Sequence, residues 1–175
     1  RYYRKPYEMA AYIQDKMEYD IMIINAGIRF DYFNSNTTMP VDLRNPLNNP
    51  NFKGANQIRT AEVEYQVSPR FGVSFPISDQ GAIHFSYGHF FQIPEFEYLY
   101  ATPDFKLGAS AGRYLFGNPD LNAQKTVMYE IGLQQQLSHT VGMDFSVFYR
   151  DVRDWVGASP MIQAYLPNVQ YSQYA

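Results

Sequence analysis

Three histidines, His84, His89 and His139, and two carboxylates, Glu95 and Glu97, are the first candidates for chemistry in this chain of 175 residues. A metal needs donors that converge. His84 and His89 stand five apart in "IHFSYGHFF", an alternating segment, so on a strand they face opposite sides and share no metal. His139 lies in the short turn "SHT", and the chain has no cysteine for a thiolate site or a disulfide. Glu95 and Glu97 share a face in "PEFEYLY", but no nucleophile accompanies them. The chain is read as neither an enzyme nor a metalloprotein, with no cofactor.

Rings and charges are the stronger candidates. "PEFEYLY" and "GRYLFGNP" gather Phe96, Tyr98, Tyr100, Arg113, Tyr114 and Phe116, a set able to stack on and hydrogen-bond a ligand. A second set, Arg29, Asp31, Arg70, Glu130, Asp144 and Arg150, occupies the polar positions of alternating segments. The simplest expectation for that set is pairing with neighbours across a sheet.

Six segments must position these residues. In "SPRFGVSFPI" (68–77) every second residue is apolar, and the others are small, polar or charged. The same period of two runs through 8–17, 21–33, 81–93, 127–137 and 141–150, with Asp15 interrupting the first. Enrichment in Val, Ile, Phe and Tyr makes these strands rather than helices. Each is about ten residues long, the span a tilted strand needs to cross a hydrocarbon layer. Tyr is the more numerous ring, with 16 against 13 Phe, which suits positions that are half wet and half apolar. No run approaches the roughly 18 apolar residues of a transmembrane helix. A formal charge of −3 offers nucleic acid no general attraction.

Short and long connections alternate. Turns around Tyr19-Asp20, Asp79-Gln80 and His139-Thr140 join the segments in pairs, while stretches of about thirty residues separate the pairs. An antiparallel meander then carries every turn at one end and every long loop at the other, the asymmetry of an outer-membrane barrel. A soluble β-sandwich remains the rival, because it too hides one face and wets the other. Neither "RYYRKPYEM" nor "VQYSQYA" reads as a natural terminus, so a fragment with six strands and the start of a seventh is expected.

Four stretches carry a family resemblance over about residues 7–155. "NAGIRFDYF", "SPRFGVSFPISDQGAIHFSYGHFFQIPEFEYLY", "GNPDLNAQKTVMYEIGLQQQL" and "FYRDVRDWV" resemble, in order, strand motifs of TonB-dependent outer-membrane receptors. The match departs at Ala123-Gln124, where the family commonly has Pro-Glu. The subgroup resembled has an amino-terminal carboxypeptidase-regulatory-like domain.

The resemblance implies an all-β partial barrel, six or seven strands of a 22-stranded wall, lodged in the bacterial outer membrane. It implies a plug domain and a TonB-engaging box elsewhere in the same parent chain. The expected function is energised import of a siderophore, cobalamin, glycan or peptide. A passive porin, an adhesin-type barrel and a soluble binding module are the alternatives. Lipid, plug, TonB and nutrient are the expected partners. Arg29, Asp31, Arg70, Glu130, Asp144 and Arg150 would face the lumen and either pair together or dock the plug. Phe96, Tyr98, Tyr100, Arg113, Tyr114 and Phe116 would meet the ligand first, unless Tyr98 and Tyr100 belong to the aromatic girdle.

Overall fold

The computed structural model describes residues 3–45, 47, 57–107, 113–166 and 168–175. Its elements, in order, are β1 (Tyr7–Tyr19), β2 (Met22–Asn34), β3 (Thr38–Pro40), β4 (Ile58–Thr60), β5 (Val63–Ser78) and β6 (Gly81–Gln92). There follow α1 (Phe96–Tyr100), β7 (Arg113–Phe116), β8 (Gln124–Ser138), β9 (Val141–Arg153), β10 (Ile162–Gln163) and β11 (Gln170–Gln173). The six long strands form one antiparallel sheet in the order β1-β2-β5-β6-β8-β9. Each contains one of the alternating segments. Asp20-Ile21, Asp79-Gln80 and His139-Thr140 close the hairpins, and all three long connections leave from the other end.

The register keeps period two in phase across the sheet. One ladder row reads Met17, Ile24, Val73, Phe85, Ile131, Val147, all on one face. The row beside it reads Lys16, Asn25, Gly72, Ser86, Glu130, Phe148, on the other face. Among the described residues no second layer covers the apolar face: Ile131 and Val147 are each 54% exposed. A sandwich would have spent the remaining residues on a second sheet there. Those that the structure describes lie instead at the loop end.

That end is a folded cap. β3 pairs with β4, and β7, β11 and β10 form a second small sheet. Its core is Met39, Phe105, Leu107, Phe116, Ala164, Val169 and Tyr171, drawn from all three long connections. A second cluster, Phe33, Leu99, Tyr100 and Leu121, seats α1 against the end of β2. Past β9 the chain returns, and Tyr174 bridges Ala158 antiparallel while Gly157 and Ala175 exchange backbone hydrogen bonds at 2.8 and 3.1 Å. β11 alternates as a barrel strand would, but it runs parallel to β7 and buries Tyr171 and Gln173 inside the cap.

Candidate ligand-facing wall and loop cap

On the polar face, Arg70 of β5 is flanked by two glycines, Gly27 of β2 and Gly88 of β6. Without side chains there, the Arg70 guanidinium lies over the Phe90 ring, 5.0 Å from its centroid. Together with Arg29, Gly72 and Glu130 these residues line a hollow of about 680 Å³. Arg29 Nε donates to both carboxylate oxygens of Asp31, at 2.8 and 3.0 Å. Glu130 lies 3.5 Å from His84, whose ring occupies the space over Gly132. Gln134 donates to Asp144 at 3.0 Å, and Arg150 lies over Phe148 at 4.7 Å.

All six charges share this face by register. Their pairing is only partly the expected cross-strand kind: Glu130 and Asp144 find partners on a neighbouring strand. Arg29 and Asp31 pair along one strand, because side chains two apart on a strand share a face. Arg70 and Arg150 rest on aromatic rings. Phe90 and Phe148 were not among the candidate residues, although each stands two positions from a named or small polar-face residue. His89 points to the opposite face from His84, with its Nε2 2.5 Å from the Tyr87 hydroxyl. Among the described residues no group of three His, Cys, Asp or Glu side chains is arranged to hold a metal ion.

The aromatic set divides. Phe96 is 55% exposed and lines a second hollow of about 510 Å³ with Glu8, Arg29, Asp31 and Glu95. The structure thus unites one loop residue with two wall charges. Tyr98 packs on Tyr174, with ring centroids 4.8 Å apart. Tyr100 is buried and donates to the Ser35 carbonyl at 2.7 Å, and burial raises its phenol above the ordinary range. Tyr114 packs on the cap core, and Phe116 is 1% exposed between Phe105 and Tyr171. In this arrangement Phe116 is buried in the cap core and Tyr100 is buried where α1 meets the end of β2. The side chain of Arg113 lies outside the described residues.

Side-chain pairs tie the connections to one another. Asp120 accepts from the Arg59 guanidinium and from the Glu62 amide, the latter at 2.8 Å. The Tyr171 hydroxyl donates to the Leu43 carbonyl, and Arg44 lies 4.6 Å from the Tyr165 ring centroid. The stretch "GNPDL" turns between cap and wall. Gly117 N donates to Ala101 O at 2.7 Å, Asn118 Oδ1 accepts from Asp120 N at 3.0 Å, and Leu121 enters the second cluster.

This two-faced antiparallel wall with its loops at one end has a counterpart in a known family. The model of the TonB dependent receptor-like beta-barrel family matches residues 1–174. The chain belongs to that family. As a TonB-dependent receptor-like barrel it resembles the hemophore receptor HasR of Serratia marcescens, solved with its hemophore HasA and heme. The TM-score is 0.65 at 14% identity over 98% of this chain and 29% of that one. The FrpB iron transporter of Neisseria meningitidis gives a TM-score of 0.62 at 15% identity, over 99% of this chain and 22% of that one. For the ferric enterobactin receptor of Pseudomonas aeruginosa the values are 0.52 and 14%, over 99% and 31%. This barrel segment thus spans less than a third of the length of the structures it resembles. No curated protein matches it.

Proposed function

We propose that the chain is a wall segment, with its outer cap, of a bacterial outer-membrane transporter that imports a scarce nutrient using energy passed on by TonB. The observation that carries this reading is the sheet's two faces: an uncovered apolar one for lipid, and a glycine-floored, charged one for a lumen. In the parent protein the partners would be outer-membrane lipid, a plug domain of the same chain, and TonB. Arg29, Asp31, Arg70, Glu130, Asp144 and Arg150 would meet the plug through charge-assisted hydrogen bonds. Phe96, with Tyr98, Arg113 and Tyr114 nearby in the chain, would meet the cargo: a siderophore, cobalamin, glycan or peptide. The parent would be a carrier with no catalytic step of its own.

The test is uptake by cells carrying the full-length parent, supplied in turn with labelled ferric siderophore, haem and cobalamin. Accumulation that stops when TonB is deleted or the proton gradient is collapsed is the expected result. Entry of small solutes that ignores both treatments, with no energised uptake of any probe, would make the parent a passive pore.

A further inference from the structure

Charge is nearly absent from the apolar face of the wall. Along the positions of the six long strands that share this face, it occurs only at Asp15, near the turns, and at Lys125, Asp151 and Arg153, near the loops. Both cations thus lie toward the loop end, and they are register partners: Lys125 of β8 stands opposite Arg153 of β9. Like charges directly opposite in an antiparallel pair repel, because their Cβ atoms are only about 5 Å apart.

Asp151 answers one of the two. Arg153 donates to a single oxygen of its carboxylate through Nε and Nη2, at 3.0 and 2.7 Å. Lys125 takes part in no ion pair among the described residues. The other acids of this corner are engaged or belong to the opposite face. Asp120 is held by Arg59 and the Glu62 amide, and Asp154 accepts from Asn122 at 3.4 Å. Glu64 feels the Lys125 charge beyond ion-pair distance, but its register puts it on the polar face. Two cations against one carboxylate leave an uncompensated positive charge on the apolar face.

The neighbouring residues are those of a headgroup layer. The apolar run of β9 ends at Tyr149 and that of β8 at Val127, so Asp151 and Lys125 are the first polar positions beyond it. Tyr129 and Tyr149, rings 6.4 Å apart, close that run, and exposed Trp155 follows β9. Rings with one polar end gather where a bilayer meets water. We infer that Lys125 and Arg153 bind the phosphate of an outer-leaflet lipid, whose acyl chains run down past Tyr149 and Tyr129. The guanidinium fork and the ammonium supply charge-assisted bonds to separate phosphate oxygens. A free phosphate ion would gain nothing from the apolar surface of Ile131 and Val147 below, and a lipid gains from both. The inference rests on the membrane part of the proposed function, with the apolar face in lipid and the loops outward, and not on import.

The experiment is native mass spectrometry of the full-length parent folded in detergent micelles. The probes are lipid A carrying two phosphates and the same lipid stripped of both. The phosphorylated lipid should be retained in preference. Lys125→Gln and Arg153→Gln should each weaken its retention about fivefold. Lys125→Arg should keep it, and so should Lys16→Gln, which alters a lysine of the polar face. Asp151→Asn removes the carboxylate that competes with phosphate for Arg153 and should strengthen retention. Equal retention of the stripped lipid, full retention in both glutamine variants, or no gain in Asp151→Asn overturns the site. Displacement of the lipid by inorganic phosphate would assign the pair to a soluble anion and overturns it too. A parent that folds in micelles but ignores the phosphates sinks this inference alone. A parent that folds without detergent and takes up no lipid sinks the membrane reading with it.

Discussion

Asp15 of β1 and Tyr149 of β9 lie on one ladder row, at opposite edges of the sheet, linked through Ala26, Phe71, Tyr87 and Tyr129. In β9 the outward positions are apolar from Val141 to Tyr149 and become charged at Asp151 and Arg153. In β1 the charge is at Asp15, and the apolar run continues from Ile13 to Tyr7. The row that ends the apolar band at one edge therefore begins it at the other. The band crosses the ladder obliquely, as it must when strands traverse a lipid layer at a tilt of roughly 35–45°.

Arginine substitutions distinguish that oblique band from a horizontal one. Phe145, the middle of the five apolar positions in β9, falls near the centre of the layer. Phe145→Arg should cost about 2–4 kcal/mol in assembly of the parent. Met17→Arg should cost only about 0–1 kcal/mol, because Met17 lies on the turn side of Asp15. Heat-modifiable migration of the refolded parent under graded urea reads both. Equal penalties would place the band parallel to the rows.

The Arg70 slot depends on an absent side chain. A Cβ at Gly88 would stand 3.3 Å from the Phe90 ring and 3.7 Å from Arg70 Cγ. Alanine there is tight, and valine must move the ring. Gly88→Val should cost about 1–3 kcal/mol by overpacking and should detach the guanidinium from Phe90. A urea midpoint within error of the parent's would show that the ring has room to give.

Much of the wall was legible because period two survives only where one face is apolar for its whole length. Phe71, Val73 and Phe75 announce that face, and Arg70, Gly72 and Ser74 the other, without reference to any partner. The cap was not legible, for two physical reasons. Alternation around Tyr171 and Gln173 has the same signature whether its buried side meets lipid or other loops. Within the loops no period sorts rings, so Phe96, exposed, and Phe116, buried, carried equal weight as ligand candidates. The tie between Arg59 and Asp120 joins residues 61 apart, and nothing local marks it. The motif "GNPDL" was visible as a resemblance, but its work at the joint between cap and wall emerges only from contacts with Leu99 and Ala101.

That joint is sensitive to one methyl group. A Cβ at Gly117 would lie 2.5 Å from Ala101 N and 2.7 Å from Leu99 O, both backbone atoms that cannot rotate away. Gly117→Ala should displace β7 from α1 and loosen the cap, at about 1–3 kcal/mol, while the wall still assembles. Limited proteolysis of the folded parent is a suitable check. Cleavage within 93–123 should appear in the variant with the heat-modifiable barrel band retained. Loss of the band instead would make Gly117 part of barrel assembly.

Alkaline pH should open the cap before it touches the wall. Burial, with the charge of Asp42 adding to it, pushes the Tyr171 phenol up from 10.0 to about 12, and burial raises Tyr100 in the same direction. A phenol whose folded value exceeds its unfolded one contributes stability fully below the unfolded value. That contribution is lost as pH rises through the folded one. Cap protection should therefore be flat up to pH 10.0 and fall toward about pH 12, the interval in which an opened cap ionises Tyr171 and a closed one does not. Lysine and arginine side chains titrate near or above that interval too, so the variant decides the cause. Tyr171→Phe should begin less protected but should lose most of the further decline between those values, read by short pulses of hydrogen exchange. A decline equally steep in Tyr171→Phe would assign the opening to other groups.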